Sequence, residues 1–89
     1  MKYKIGECVT VKNSWPPLWG PIITINEEHK IYLVKLNYLE NLDYYSFYEI
    51  EYITDKLNST LWYYREEDLE KEYEQKEQKP GETARKKHC

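Results

Sequence analysis

The chain reads as a small all-β domain, five short strands that form a closed sheet, followed by a charged helix and a free tail. Three observations predict this. Five short runs of β-branched and aromatic residues recur between residues 3 and 64, separated by turn-forming Gly, Pro, Asn, Asp and Ser. With 89 residues there is room for one core, because a chain this short buries only about 60% of the surface it exposes when unfolded. Past Arg65 the alternation stops and a Glu- and Lys-rich stretch begins. The expected organisation is a sheet domain over residues 1–70, a helix over 66–79 and a disordered tail over 80–89.

In the first strand Tyr3, Ile5, Val9 and Val11 alternate with Lys2, Lys4, Thr10 and Lys12, and Gly6-Glu7 marks a turn or bulge. Residues 13–19 carry Pro16-Pro17, which cannot donate to a ladder, so they form a loop. Ile22-Ile23-Thr24-Ile25 is the second strand, 26–30 a polar hairpin connection, and 31–36 the third strand. A loop over 37–43 leads to a fourth strand over 44–53, where Tyr48, Ile50 and Tyr52 oppose Glu49 and Glu51. After turn-like residues 54–59, Thr60-Leu61-Trp62-Tyr63-Tyr64 is the fifth. The helix is expected from Glu66, Glu67 and Asp68 at its start and from the i,i+4 pairs Glu67/Lys71 and Glu72/Lys76. This register puts Val9, Val11, Val34, Leu36, Ile50 and Leu69 inside and Lys35 outside.

Charge divides along the chain. Residues 1–65 hold eight acidic and seven basic side chains, residues 66–79 seven and three, and residues 80–89 one and three. A formal net charge of −3 argues against avid nonspecific binding to nucleic acid, which depends on neutralising phosphates. Cys8 and Cys89 provide neither a disulfide framework nor a metal site, so Cys8 is expected to be packing and Cys89 a free terminal thiol. No apolar run approaches the roughly 18 residues of a membrane span and Met1-Lys2-Tyr3-Lys4 begins no signal peptide, so the expected location is cytoplasmic, with no membrane partner. Abundant Lys, Ile, Asn, Tyr and Glu point to an A+T-rich genome, such as that of a low-G+C bacterium or its phage.

The order of these signals resembles that of SH3-like small barrels, the group that includes Tudor-like and KOW-like domains. The resemblance is carried by Gly6, Val9 and Val11, by Gly20-Pro21-Ile22, by Tyr32-Leu33-Val34-Lys35-Leu36 and by residues 63–69 ending in Leu69. It implies a five-stranded barrel over roughly residues 3–70 and a Leu69 tucked under the sheet by a short helical turn. Residues 37–59 are longer than the corresponding segment of such barrels. The fold serves many functions, so function has to be argued from a site.

Catalytic chemistry is not expected, and neither is a cofactor or metal. His29 beside Glu27 and Glu28 has no further ligands and reads as a solvated turn; His88-Cys89 at a terminus lacks the fixed geometry that catalysis needs. The candidate partner-binding residues are Trp15, Pro17 and Trp19, two indoles on a stiff Pro-Pro segment, together with Tyr44 and Tyr64. Whether the indoles face solvent or cap the domain stays open at this point, with at least one expected to be exposed. For the tyrosines, cross-strand packing is the competing reading. A protein-binding adaptor or inhibitor is therefore the first expectation. The alternative is a nucleic-acid or methyl-residue reader, with Lys12, Lys35 and Arg65 as phosphate contacts.

Overall fold

A computed structural model describes residues 1–71 and Cys89. Its core is a five-stranded antiparallel sheet: β1 (Cys8–Val11), β2 (Trp19–Asn26), β3 (Ile31–Lys35), β4 (Leu61–Arg65) and β5 (Leu69–Lys71), in the spatial order β4-β3-β2-β1-β5. Between β3 and β4 lie a 3₁₀ helix (Leu39–Tyr44) and a helix, α1 (Phe47–Lys56). A 3₁₀ turn over Glu66–Asp68 leads into β5.

The longest strand, β2, serves two neighbours in succession. Trp19, Gly20 and Pro21 pair with β1, and Ile22 to Asn26 pair with β3 across a bulge between Ile22 and Thr24. A bulge bends a strand and increases its twist, which lets one strand change partners along its length. Gly20 makes the bend tight enough that a Cβ there would fall 1.7 Å from the Lys35 carbonyl oxygen. Next to it the Asn37 N–H donates to the Trp19 carbonyl at 2.9 Å. At the other end of β2, the Asn26 side chain accepts from the His29 N–H at 3.1 Å and Lys30 takes φ 55°, forming the expected polar hairpin with His29 exposed.

Among the described residues the largest fully buried side chains are Trp19, Tyr32, Ile22, Leu36, Leu69, Val9 and Val34. Four of the six expected core residues, Val9, Val34, Leu36 and Leu69, are among them; Val11 and Ile50 are half-buried against the same cluster. Ile5 is exposed, because the turn at Gly6 (φ +89°) separates the N-terminal arm from β1 and ends the alternation there. Tyr3 stays buried by docking on β3: its N–H donates to the Tyr32 hydroxyl at 3.2 Å and its own hydroxyl donates to the Leu69 carbonyl at 3.1 Å.

Two expected elements take another form. The strand expected over 44–53 is helical from Phe47 onward. Ser46 and Glu49 form a reciprocal capping box: the Ser46 Oγ accepts from the Glu49 N–H, and the Glu49 carboxylate accepts from the Ser46 N–H. Such a cap contributes about 1 kcal/mol toward starting a helix. The helix buries Glu49 and Ile53, four residues apart, and not the Tyr48/Ile50/Tyr52 set that a period of two selects. The helix expected over 66–79 is replaced at its start by the 3₁₀ turn and β5. An i,i+4 pair such as Glu67/Lys71 contributes only about 0.2–0.5 kcal/mol. Burying Leu69, 1% exposed and opposite Val11, contributes about 1.5–3 kcal/mol, so the strand wins. The remainder of that helix and the tail over 80–88 lie outside the described residues.

Cys8 and Cys89 are joined in a disulfide, with Cα atoms 6.0 Å apart. The expectation of Cys8 as packing and Cys89 as a free terminal thiol is overturned. Spacing rules look for several cysteine pairs along the sequence; here a single pair, 81 residues apart, meets only through the fold. Among the described residues no helix is long and apolar enough to cross a membrane.

The outer strand β4 is sealed at both ends by side chains. Leu61 N–H donates to Ser59 Oγ at 3.1 Å, and Arg65 N–H donates to Asp68 Oδ2 at 3.3 Å.

Glu66 joins three parts of the fold. One of its carboxylate oxygens accepts from the Lys2 N–H at 2.6 Å and from the Tyr32 hydroxyl at 2.8 Å. These bonds, the Lys2 N–H foremost, hold the Glu66 carboxyl below its ordinary value of 4.5. A carboxyl depressed in the folded state stabilises the fold above its unfolded pKa, and that contribution is lost as pH falls through the folded value. Wild type is therefore expected to lose melting temperature below about pH 4.5 more steeply than Glu66→Gln. Parallel melting curves for the two proteins over that range would disprove the linkage.

Candidate functional site

The loop between β1 and β2 is built to hold Trp15 outward. Ser14 Oγ accepts from the Leu18 N–H at 3.1 Å, closing the loop's base, and Pro16 is buried. The Tyr45 hydroxyl donates to the Pro17 carbonyl at 2.6 Å, tying the loop to the segment that precedes α1. Beneath it Trp19 is 1% exposed and packs edge-on to Tyr44 (ring centroids 4.8 Å apart) and stacked on Tyr45 (5.8 Å). The two indoles thus have opposite roles: Trp19 anchors the loop from inside, and Trp15 is 61% exposed above it.

Trp15 meets α1. Its ring lies edge-on to Tyr52 at 5.3 Å, and the Lys56 ammonium sits 5.8 Å over the other ring's centroid. Tyr48 is one helical turn from Tyr52 on the same side of α1, and Phe47 packs edge-on to Tyr48 at 5.9 Å. Two edge-on ring pairs, Trp15/Tyr52 and Phe47/Tyr48, thus succeed each other along α1 as an aromatic row, with exposures of 61% and 43% for the first pair and 75% and 76% for the second. Single exposed apolar side chains need no explanation, whereas four exposed aromatic rings on one small stretch of surface call for one. Starting from Phe47, where it borders the row, a shallow groove along α1 is lined by Phe47, Ile50, Glu51, Thr54 and Asp55.

The residues singled out from the sequence divide accordingly. Trp15 and Pro17 are in the loop, Pro17 half-buried and held through its carbonyl. Trp19 is enclosed in the core and does not reach the surface; Tyr44 is half-buried against it. Tyr64 lies elsewhere, on β4 opposite Tyr32, where burial first and the Asp68 carboxylate second push its hydroxyl up to about 12. Tyr63 beside it faces solvent. Of the three cations, Lys35 pairs with Glu40 at 3.1 Å and Arg65 with Glu67 at 3.2 Å, while Lys12 is exposed beyond the end of β1. Sequence reasoning missed Phe47, Tyr48, Tyr52 and Lys56 as site residues because it placed the first three in a strand. The Ser46-x-x-Glu49 spacing was the signal that could have found the helix.

Among the described residues no group of three or more His, Cys, Asp or Glu side chains is placed to hold a metal ion. No protein-family model matches the chain, and the comparisons with curated proteins and with solved structures find no match either.

Proposed function

We propose that the chain is a non-catalytic binding module that captures a protein partner on the aromatic row running from Trp15 across α1. The observation that carries this reading is the exposure of Trp15, Tyr52, Tyr48 and Phe47 as neighbours on elements pinned to the core. Rigid aromatic side chains supply contact area at little cost in conformational entropy, which is why they dominate interface energetics. The scaffold is an SH3-like small barrel, a reading supported by the strand order, the bulged β2 shared between two neighbours and the 3₁₀ turn before β5. Carboxylate partners on Lys35 and Arg65 favour protein over phosphate as the ligand.

Trp15→Ala tests the proposal. The Trp15 ring is largely exposed and packs edge-on to Tyr52 alone among the described aromatic residues, so the substitution is expected to cost about 1 kcal/mol of stability or less. Partner capture from lysate of the native cell, quantified by mass spectrometry, is expected to weaken by at least about 1 kcal/mol. Unchanged capture by a folded Trp15→Ala protein would refute the aromatic row as the binding surface. Tight, salt-sensitive binding of single-stranded RNA or duplex DNA by the wild type would refute the choice of partner.

A further inference from the structure

α1 lies in one of the chain's two acidic stretches. Residues 39–56 hold Glu40, Asp43, Glu49, Glu51 and Asp55 against Lys56 alone, a net of −4, equal to the excess of seven acidic over three basic side chains in residues 66–79. Glu40 is paired with Lys35, and Glu49 is spent on the helix cap. Glu51 and Asp55 remain, four residues apart on one face of α1, where like charges repel. Asp55 also lies in the last turn, at the negative pole of the helix dipole. Lys56, the cation of that turn, leans over Tyr52 on the opposite flank. The apolar half of the same groove is Phe47 and Ile50. An occupant that brought a cation to the lower half and an apolar side chain to the upper half would relieve the repulsion and cover exposed ring surface together.

From this geometry we infer that the groove docks a cationic amphipathic peptide segment of a partner protein, with an apolar side chain on Phe47 and Ile50 and a lysine or arginine between Glu51 and Asp55. The inference rests on the binding-module reading above and specifies the chemistry of its partner. The sheet's outer edge is a weaker candidate for peptide capture, since Ser59 and Asp68 already occupy two of its N–H groups.

The probe is a capped peptide of leucine and lysine patterned as an amphipathic helix roughly four turns long; the control replaces every lysine by glutamate. Titrated into isotope-labelled full-length protein, the lysine peptide is expected to shift the amide signals of α1 between Phe47 and Asp55. Its affinity is expected to fall as ionic strength rises past about 0.15 M, where exposed charges are screened beyond about 8 Å. The glutamate peptide is expected to bind at least about tenfold more weakly. The double variant Glu51→Lys/Asp55→Lys, both positions exposed, should keep the circular dichroism of the wild type and lose at least about tenfold in affinity for the lysine peptide. Trp15→Ala, on the other flank, should change that affinity by less than about twofold. Equal binding of the two peptides, shifts centred outside α1, or indifference to the double variant would overturn the inference. So would α1 shifts produced without peptide by Arg85→Glu/Lys86→Glu/Lys87→Glu, which would place the chain's own basic end in the groove. If the lysine peptide behaves as expected while Trp15→Ala leaves capture intact, the aromatic row fails and the groove stands; the converse removes the groove alone.

Discussion

Gly20→Ala is expected to abolish cooperative folding. The added methyl would fall 1.7 Å from the Lys35 carbonyl oxygen and 2.7 Å from its carbon, so the clash is with backbone and no rotamer change relieves it. Relief requires β2 to move away from the end of β3, which pulls on the Asn37 N–H bond to the Trp19 carbonyl and on the pairing of Gly20 with Val9. Displacements of that kind belong with the largest single-substitution effects, above about 4 kcal/mol. A domain of this size has about 5 kcal/mol to lose. Gly6→Ala is the matched control: Gly6 has φ +89° but nothing within 4 Å of its would-be Cβ, so the cost is confined to backbone strain of about 1–2 kcal/mol. Circular dichroism and urea titration distinguish the two. A Gly20→Ala protein that melts within a few degrees of wild type would show that β2 does not approach β3 so closely.

Trp19→Ala is expected to cost about 3–5 kcal/mol, the range for deleting a buried aromatic ring. Trp19 is enclosed by Tyr44 and Tyr45, and Tyr45 in turn holds the Pro17 carbonyl, so the cavity would open directly beneath the loop that presents Trp15. Trp19→Phe should recover part of the loss. The contrast with Trp15→Ala, four residues away and nearly neutral for stability, is the diagnostic result. A cost under about 1 kcal/mol for Trp19→Ala, read from the urea midpoint at unchanged slope, would take its ring out of the core.

The strands were legible where one face is buried and the other wet. Val34 and Leu36 go in while the Lys35 side chain reaches out to Glu40, as alternation requires, and the Pro-Pro loop and the polar hairpin fall where their backbone chemistry places them. Residues 44–53 misled because Tyr48, Glu49, Ile50, Glu51 and Tyr52 satisfy a period of two by side-chain class, although the helix sorts them by a period of 3.6 and buries Glu49. A capped carboxylate on the inner face is invisible to any reading that equates buried with apolar. The site was half legible for the same reason. Trp15 and Trp19 stood out as two indoles on a stiff loop, of which at least one was expected to be exposed, but Tyr52 and Phe47 join Trp15 only through a helix whose cap, not whose hydropathy, announces it. Trp19 and Trp15 carry the same chemistry in sequence, and only the packing around Tyr44 and Tyr45 sends one inward.

The sealed margin of β4 bears on how copies of this chain meet one another. Leu61-Trp62-Tyr63 is an exposed segment of high β-propensity, the composition from which strand-by-strand stacking starts. Such growth needs alternate peptide groups along the outer margin to act as donors. Antiparallel geometry turns the N–H groups of Leu61, Tyr63 and Arg65 that way, and Ser59 and Asp68 have taken the first and the last. An arriving strand could still donate to the outward carbonyls but would find a free donor only at Tyr63, so the reciprocal N–H···O pairs of a full ladder could not form along the margin. Two short polar side chains thereby blunt the template that this aromatic edge would otherwise offer to a second strand.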